Sequence, residues 1–314
     1  LPVQSKNPVI IFFNFIIIFF ILLIYNIDIV HARSRAPAWS CLWACFFSRK
    51  KFVTTFHGTY NFSSRIKLFY NSVMVRSKLI IAGSNFIFNH ISENYQKYLE
   101  PSKKKLMVIF RGINLEYFNS QNISEKKINT LIQEWNINKN NFIILLPGRL
   151  TKWKGQEMFL EALNLLLQNH GKNNFHAIIL GSNQGRNIYS KKLFLLVERY
   201  RLGTKVTFIK NCKEMPVAYK LADVAISSSI EPEAFGRVAV EAQAMNLPII
   251  ASDLGGSKET VLDGKSGLLY RYNEPKELAS ILNKFMEMNK ESLSLMGKQG
   301  RKNVEKKFNV DQMC

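Results

Sequence analysis

The chain has 314 residues, 47% of them hydrophobic and 21% charged, a globular balance that excludes wholesale disorder and leaves room for two domains. Lys and Arg number 43 against 23 acidic residues, a net charge of +20, which suits a polyanionic partner such as nucleic acid, an anionic membrane or a phosphorylated substrate; a solvated Lys-rich surface is the plainer alternative. Four cysteines (Cys41, Cys45, Cys212, Cys314) with no matching His or Cys pair make neither a disulfide framework nor a zinc site, and they read as reduced thiols of a cytoplasmic protein.

The chain opens on an uncharged run from Pro8 to Tyr25 in which Asn14 is the one strongly polar side chain. Two readings stay open: a helix of an α/β domain that feeds the next strand, or a segment that spans or lies in a membrane. Apolar strands are then expected at Ile27–His31, Phe52–Phe56, Leu79–Ala82 and Leu106–Phe110, with helices at Ala38–Phe47, Ser64–Val75 and Asn85–Tyr98. A polar stretch, Asn119–Lys127, reads as a linker, so the domains are expected at 1–118 and 119–314. The first carries 15 basic and 4 acidic residues (net +11), the second 28 and 19 (net +9). Beyond the linker the alternation continues with strands at Phe142–Leu146, His176–Leu180, Lys205–Ile209, Val224–Ser227, Pro248–Ala251 and Leu268–Tyr270. Helices at Glu157–Leu167, Ser190–Tyr200, Met215–Ala222, Gly236–Met245 and Lys276–Met288 separate them. Strands alternating with helices predict doubly wound α/β domains with parallel sheets, whose ligands sit beyond the carboxyl ends of the strands.

Three loops at such strand ends carry chemistry. In the first, Ser227 ends a strand, Glu233 lies in the loop, and a helix begins near Phe235-Gly236 with Glu241 eight residues after Glu233. The N–H groups of a first helical turn lack intrahelical partners and suit a diphosphate, while two carboxylates about 12 Å apart along a helix could grip the two ends of an elongated ligand. The second loop is Gly148-Arg149 running to Lys152, Trp153 and Lys154, where Arg149 and Lys154 could stand beside the same diphosphate and Lys152 reads as solvated. The third is Thr54 to Asn61, with His57 just beyond a strand. Arg33 and Arg35, also just past a strand, could read phosphate or carboxylate on an acceptor, with ordinary surface arginines as the alternative; His31 reads as packed. The Gly-Lys-Ser at 264–266 lacks the earlier glycine of a P-loop, since Glu259 stands there. The run Lys103–Lys105 has no interleaved aromatics, so nucleic acid is not expected as a partner.

Glu233 and Glu241 with Phe235-Gly236 between them, followed by Pro248 and Gly255-Gly256, resemble the signature of family 4 of the glycosyltransferases, which have the GT-B fold of two Rossmann-like domains facing a cleft. The resemblance implies a retaining, metal-independent transfer from a nucleotide-diphosphate sugar, with no further cofactor. It implies Glu233 at the donor sugar, Glu241 on the ribose, and the backbone at Phe235 and Gly236 on the distal phosphate, with Ala234 also among the donor-binding residues. Arg149 and Lys154 would flank the diphosphate, Gly148 would join the donor-binding residues, Ile209 would lie by the nucleobase, and His57 would face the donor from the first domain. The basic first domain, Arg33, Arg35 and the apolar run favour an anionic glycolipid or glycan acceptor, as in lipopolysaccharide synthesis, on a cytoplasmic protein peripheral to the inner membrane. A nucleotide-sugar 2-epimerase of the same fold, or an inactive fragment, is the alternative. Family members open with a strand and a glycine-rich loop, and none precedes Asp28 here, so about two βα units are expected to be missing from the first sheet. The family's closing helix is likewise expected beyond Cys314.

Overall fold

The computed structural model describes residues 2–60, 63–99 and 105–313. Asn61, Lys103, Lys104 and Cys314, named above, lie outside them. The chain divides into two compact units, Leu1–Phe110 and Arg111–Cys314.

The first unit runs α1 (Pro8–Ile24), β1 (Ile29–Ala32), α2 (Arg35–Ser48), β2 (Lys51–Phe56), α3 (Arg65–Asn71), β3 (Leu79–Ala82), α4 (Asn85–Asn94), α5 (Gln96–Leu99) and β4 (Lys105–Val108). Its four strands pair in parallel in the order β1-β2-β3-β4. Ser64 and Ser84 cap α3 and α4 by accepting hydrogen bonds from the N–H groups of Lys67 (3.2 Å) and Ile87 (3.1 Å), which explains why those helices start there. The helix expected over Asn85–Tyr98 is broken at Tyr95, whose ring is fully buried against Phe56. The Pro8–Tyr25 run forms α1, with Asn7 capping and Pro8 in the first turn, and α1 packs along α2. Among the described residues no helix is long and apolar enough to cross a membrane, so the spanning alternative is withdrawn.

The second unit runs α6 (Glu125–Glu134), β5 (Phe142–Pro147), α7 (Gln156–His170), β6 (Phe175–Leu180), α8 (Asn187–Arg199), β7 (Val206–Ile209), α9 (Met215–Leu221) and β8 (Val224–Ser227). It continues with α10 (Arg237–Ala244), β9 (Ile249–Ser252), α11 (Ser257–Thr260), β10 (Gly267–Tyr270), α12 (Pro275–Glu287), α13 (Lys290–Lys307) and α14 (Val310–Met313). The sheet is parallel, in the order β10-β9-β8-β5-β6-β7. β6 is buried along its whole length, as a continuous apolar run in a central parallel strand should be. Its Phe175, Ala177 and Ile179 share a core with Phe159, Leu163 and Leu166 of α7 and with Leu278, Leu282 and Phe285 of α12.

The strand order reverses between β5 and β8. Chain leaving β5 turns toward β6, and chain leaving β8 turns toward β9, so a crevice opens between their carboxyl ends. Behind α10, α13 supplies the anchor. Arg301 Nη1 donates to the carbonyls of Phe118 (2.6 Å) and Ala244 (2.7 Å), and Asn303 donates to Gln243 Oε1 (3.2 Å) and to the carbonyl of Thr260 (3.0 Å).

Candidate functional site

The loops after β5 and β8, which meet at the reversal, hold most of the residues singled out in the sequence. After β8, Ser227, Ser228 and Ser229 are buried and the chain loops out through Glu233 to Gly236, the residue that caps α10. Gly236 has φ +82°, a left-handed conformation that strains other residues, and a Cβ there would lie 2.9 Å from Thr260 Oγ1. No side chain caps α10, so its first-turn N–H groups carry the helix's positive end with no protein anion bound to them as a cap. The loop is clamped from below by the turn after β9. The Gly256 N–H donates to the Glu233 carbonyl (2.8 Å), and a Cβ on Gly256 would come within 2.6–2.8 Å of the Phe235 backbone. Phe235 itself is buried edge-on against Phe308.

Glu233 does not stand in open solvent. Its Oε1 accepts from Lys154 Nζ at 2.7 Å, Ser229 Oγ at 2.5 Å and Ser227 Oγ at 3.3 Å, and the ion pair is largely shielded, with the Lys and Glu side chains 13% and 9% exposed. The Lys154 stem runs over Gly148, whose missing side chain leaves the methylenes room, and its ammonium stands 4.5 Å from the Trp153 ring centroid. Two hydrogen bonds lock this segment to the loop after β8: Ser228 Oγ to the Lys154 carbonyl (2.9 Å) and Ile230 N–H to the Trp153 carbonyl (2.8 Å). Arg149 follows Gly148 at the end of β5 and is exposed; among the described residues its side chain makes no hydrogen bond or ion pair, while its carbonyl accepts from Gln156 Nε2 (2.9 Å). Lys152 is exposed, as expected.

Glu241 lies on α10 with its carboxylate 10% exposed and both oxygens held. Arg237 Nε donates to Oε1 at 2.6 Å, and Tyr219 OH donates to Oε2 at 2.9 Å. Tyr219 is fully buried, and burial followed by the Glu241 charge pushes its phenol well above the ordinary value, so it remains a proton donor. The i, i+4 spacing of Arg237 and Glu241 could have revealed the first partner. Nothing in the sequence pointed to Tyr219, which comes from α9. Ile209 ends β7 half-buried, its carbonyl accepting from the Gly181 N–H (2.8 Å), and Ala234 lies half-buried in the loop beside Glu233.

The remaining candidates form a separate cluster in the first unit. His57 follows β2, and its Nε2 accepts from Arg33 Nε at 2.9 Å, which leaves that nitrogen unprotonated. Arg35 is instead turned into its own unit: Nη1 donates to Asn71 Oδ1 at 2.7 Å and the guanidinium lies 4.3 Å from the Tyr60 ring centroid. His31, expected to be packed, is exposed as a residue but its ring is partly covered: it bonds Thr55 Oγ1 at 2.7 Å, and this partial burial, then the Arg33 charge, lower its pKa.

A parallel sheet reversing at β5/β8, with a glycine-capped helix and a lysine at the reversal, defines a doubly wound, Rossmann-like class of α/β protein, whose ligands sit at such reversals. The chain belongs to the glycosyl transferases group 1, whose family model matches residues 127–303, and a second model, glycosyltransferase family 4, matches residues 2–117. A crystal structure of a glycosyltransferase from Rickettsia africae ESF-5 superposes with a TM-score of 0.88 at 34% identity, over 98% of this chain and 80% of that one. Spore coat protein SA of Bacillus subtilis (strain 168) is 26% identical over 290 residues, 90% of this chain and 74% of that protein. Anabaena Alr3699/HepE in complex with UDP-glucose shares the fold, with a TM-score of 0.83 at 24% identity over 95% of this chain and 79% of that one. The protein is therefore a glycosyltransferase built from two Rossmann-like domains of the GT-B type.

Proposed function

We propose that the chain moves a sugar from a nucleoside diphosphate sugar, with retention of anomeric configuration, to an anionic glycolipid or glycan acceptor of the cell envelope, as in lipopolysaccharide synthesis. The observation that carries this reading is the Lys154–Glu233 ion pair just ahead of the uncapped, glycine-led end of α10, with Arg149 following β5 at the same strand reversal. Backbone N–H groups at Phe235 and Gly236 and the two cations are the donors a departing diphosphate needs, and they make a metal unnecessary. That HepE was crystallised with UDP-glucose supports a nucleotide sugar as co-substrate. Glu233 then positions the donor sugar, with Gly148 and Ala234 lining its place, Glu241 takes the ribose hydroxyls, and the nucleobase lies by Ile209. The leaving phosphate accepts the proton of the acceptor hydroxyl on the same face. Residues 119–314 form the donor domain on this reading, and 1–118 the acceptor domain. There His57 serves the sugar or the developing charge and Arg33 the anionic acceptor; Arg35, already bonded to Asn71, acts by shaping that surface. The protein works on the cytoplasmic side of the inner membrane, in peripheral contact with it.

Donor hydrolysis and transfer test the reading. The Glu233→Ala, Arg149→Ala double variant is expected to lose at least about 10³-fold in kcat, since one well-placed donor is worth roughly 10²–10³. Unchanged rates remove the assignment. Glu241→Gln separates binding from chemistry: it should raise the donor KM with little change in kcat, the signature of a contact made equally in ground and transition states.

A further inference from the structure

We infer that Tyr219 and Arg237 are positioning residues that preset the Glu241 carboxylate for a vicinal diol, so that the site takes a ribonucleoside diphosphate and rejects its 2′-deoxy counterpart. The inference rests on the reading that Glu241 meets the ribose, and it narrows the donor to the ribonucleotide class.

A carboxylate left alone recognises poorly. The last torsion of a Glu side chain is broad and two-fold, so its plane turns freely unless donors hold it. Glu241 is held from two elements. Arg237 stands one turn earlier on α10, the i, i+4 distance at which side chains of a helix meet. Tyr219 comes from α9 and is fully buried, its ring edge-on to Phe118 with 6.3 Å between centroids. A buried Tyr hydroxyl calls for a hydrogen-bond partner, and the partner here is Glu241 Oε2. Burial, then the Glu241 charge, keeps the phenol protonated and therefore a donor.

The count of acceptor sites sets the ligand. An ionised carboxylate offers about four lone-pair sites, two on each oxygen. Arg237 Nε takes one on Oε1 at 2.6 Å, and Tyr219 OH takes one on Oε2 at 2.9 Å. Among the described residues no other side chain donates to either oxygen, so one site remains on each. Two adjacent hydroxyls, as at the 2′ and 3′ positions of ribose, are the complement. Arg237 already supplies the countercharge, so neutral donors complete the set. A 2′-deoxyribose brings one hydroxyl and leaves an acceptor unmet in a carboxylate only 10% exposed. Sites built to hydrogen-bond a hydroxyl reject analogues lacking it for that reason.

The test is calorimetric binding of UDP, GDP and ADP to the whole chain, then of the tightest of them against its 2′-deoxy form. The parent should bind the ribonucleotide about ten- to a hundredfold more tightly, the worth of a hydrogen bond to a charged group. Tyr219→Phe removes one oxygen atom and keeps the buried ring. Arg237→Gln alters a side chain that is 74% exposed, and it decides alone should Tyr219→Phe fail to fold. Each variant should lose most of the preference, binding the ribonucleotide about tenfold less tightly and the deoxy form nearly as before. A purely structural role, holding α9 against α10, would weaken both nucleotides alike. Retention of the parental preference in either variant overturns the inference, as does a parent chain with no preference. Glu241→Gln separates the two readings. If it keeps the parental preference, or if no nucleoside diphosphate binds the parent, the ribose reading falls and the inference with it. If Glu241→Gln loses the preference while Tyr219→Phe or Arg237→Gln keeps it, the positioning role alone falls.

Discussion

Lys154→Met is expected to lower kcat by about 10³-fold, and Arg149→Ala by about 10²-fold, with Lys154 the more damaging because it has two tasks. On the proposed reading both residues stand where negative charge develops as the nucleotide leaves. Arg149 is exposed and loses that contribution alone. Lys154 also neutralises Glu233, whose carboxylate is 9% exposed and 2.7 Å from the ammonium. Removing the charge leaves a shielded carboxylate held only by Ser227 and Ser229, a change that costs about 3–5 kcal/mol where a buried pair is broken. Methionine keeps the stem over Gly148 and beside Trp153, so the loss reports the charge and not a cavity. Single-turnover transfer measures the chemical step. Thermal unfolding should show Lys154→Met less stable than the parent and Arg149→Ala unchanged. The Arg149, Lys154 double variant should lose less than the product of the single losses, since residues acting on one leaving group do not contribute independently.

Gly256→Ala is expected to reduce transfer by about 10²-fold although the residue touches no substrate on the proposed reading. Gly256 has an ordinary helical φ of −65°, so alanine brings no backbone strain there. The obstacle is steric. The new Cβ would lie 2.6–2.8 Å from the N, Cα and carbonyl carbon of Phe235, and backbone cannot swing aside like a flexible side chain. Either the turn after β9 retreats, stretching the 2.8 Å bond from Gly256 N–H to the Glu233 carbonyl, or the loop after β8 lifts. Both displace Glu233 and the first N–H groups of α10 together. A stability loss of about 1–3 kcal/mol should accompany the kinetic one, as in other overpacked positions. Gly264→Ala is the control for activity: the position is open, with nothing within 4 Å of the added Cβ, and although its φ of +72° brings local strain, the turn after α11 should leave transfer intact.

The strands were legible because parallel strands read as short apolar runs between turns, most clearly β6, β8 and β9, which are buried along their whole length, and each of the ten expected strands begins and ends within two residues of its expected bounds. Helices with little apolar content were not. α13 carries eight charged residues from Lys290 to Lys307 and shows no strong apolar stripe, yet its Arg301 and Asn303 hold the back of α10 through polar contacts that periodicity cannot reveal. α6 begins inside the stretch read as a linker, because Ser124 and Glu125 start a helix as readily as they suggest a loop. α1 was ambiguous for a physical reason: a helix apolar on every side has no face that says where the protein lies.

Within the site, the residue types at each strand end were readable, and the family resemblance supplied their proposed roles. Their pairings were not readable. The Lys154–Glu233 ion pair joins residues from different βα units, and Tyr219 reaches Glu241 from a neighbouring helix, so only the folded sheet brings them together. Arg33 and Arg35 looked equivalent two residues apart, but Arg35 begins α2 and is carried to Asn71 and Tyr60, while Arg33 remains at His57.

The most direct measurement is a crystal structure of the chain soaked in turn with UDP, GDP and ADP. One of them should bind with its distal phosphate against the N–H groups at Phe235 and Gly236, between Arg149 and Lys154, and with its ribose on Glu241. A nucleotide well ordered elsewhere, with the crevice between β5 and β8 empty, would contradict the account.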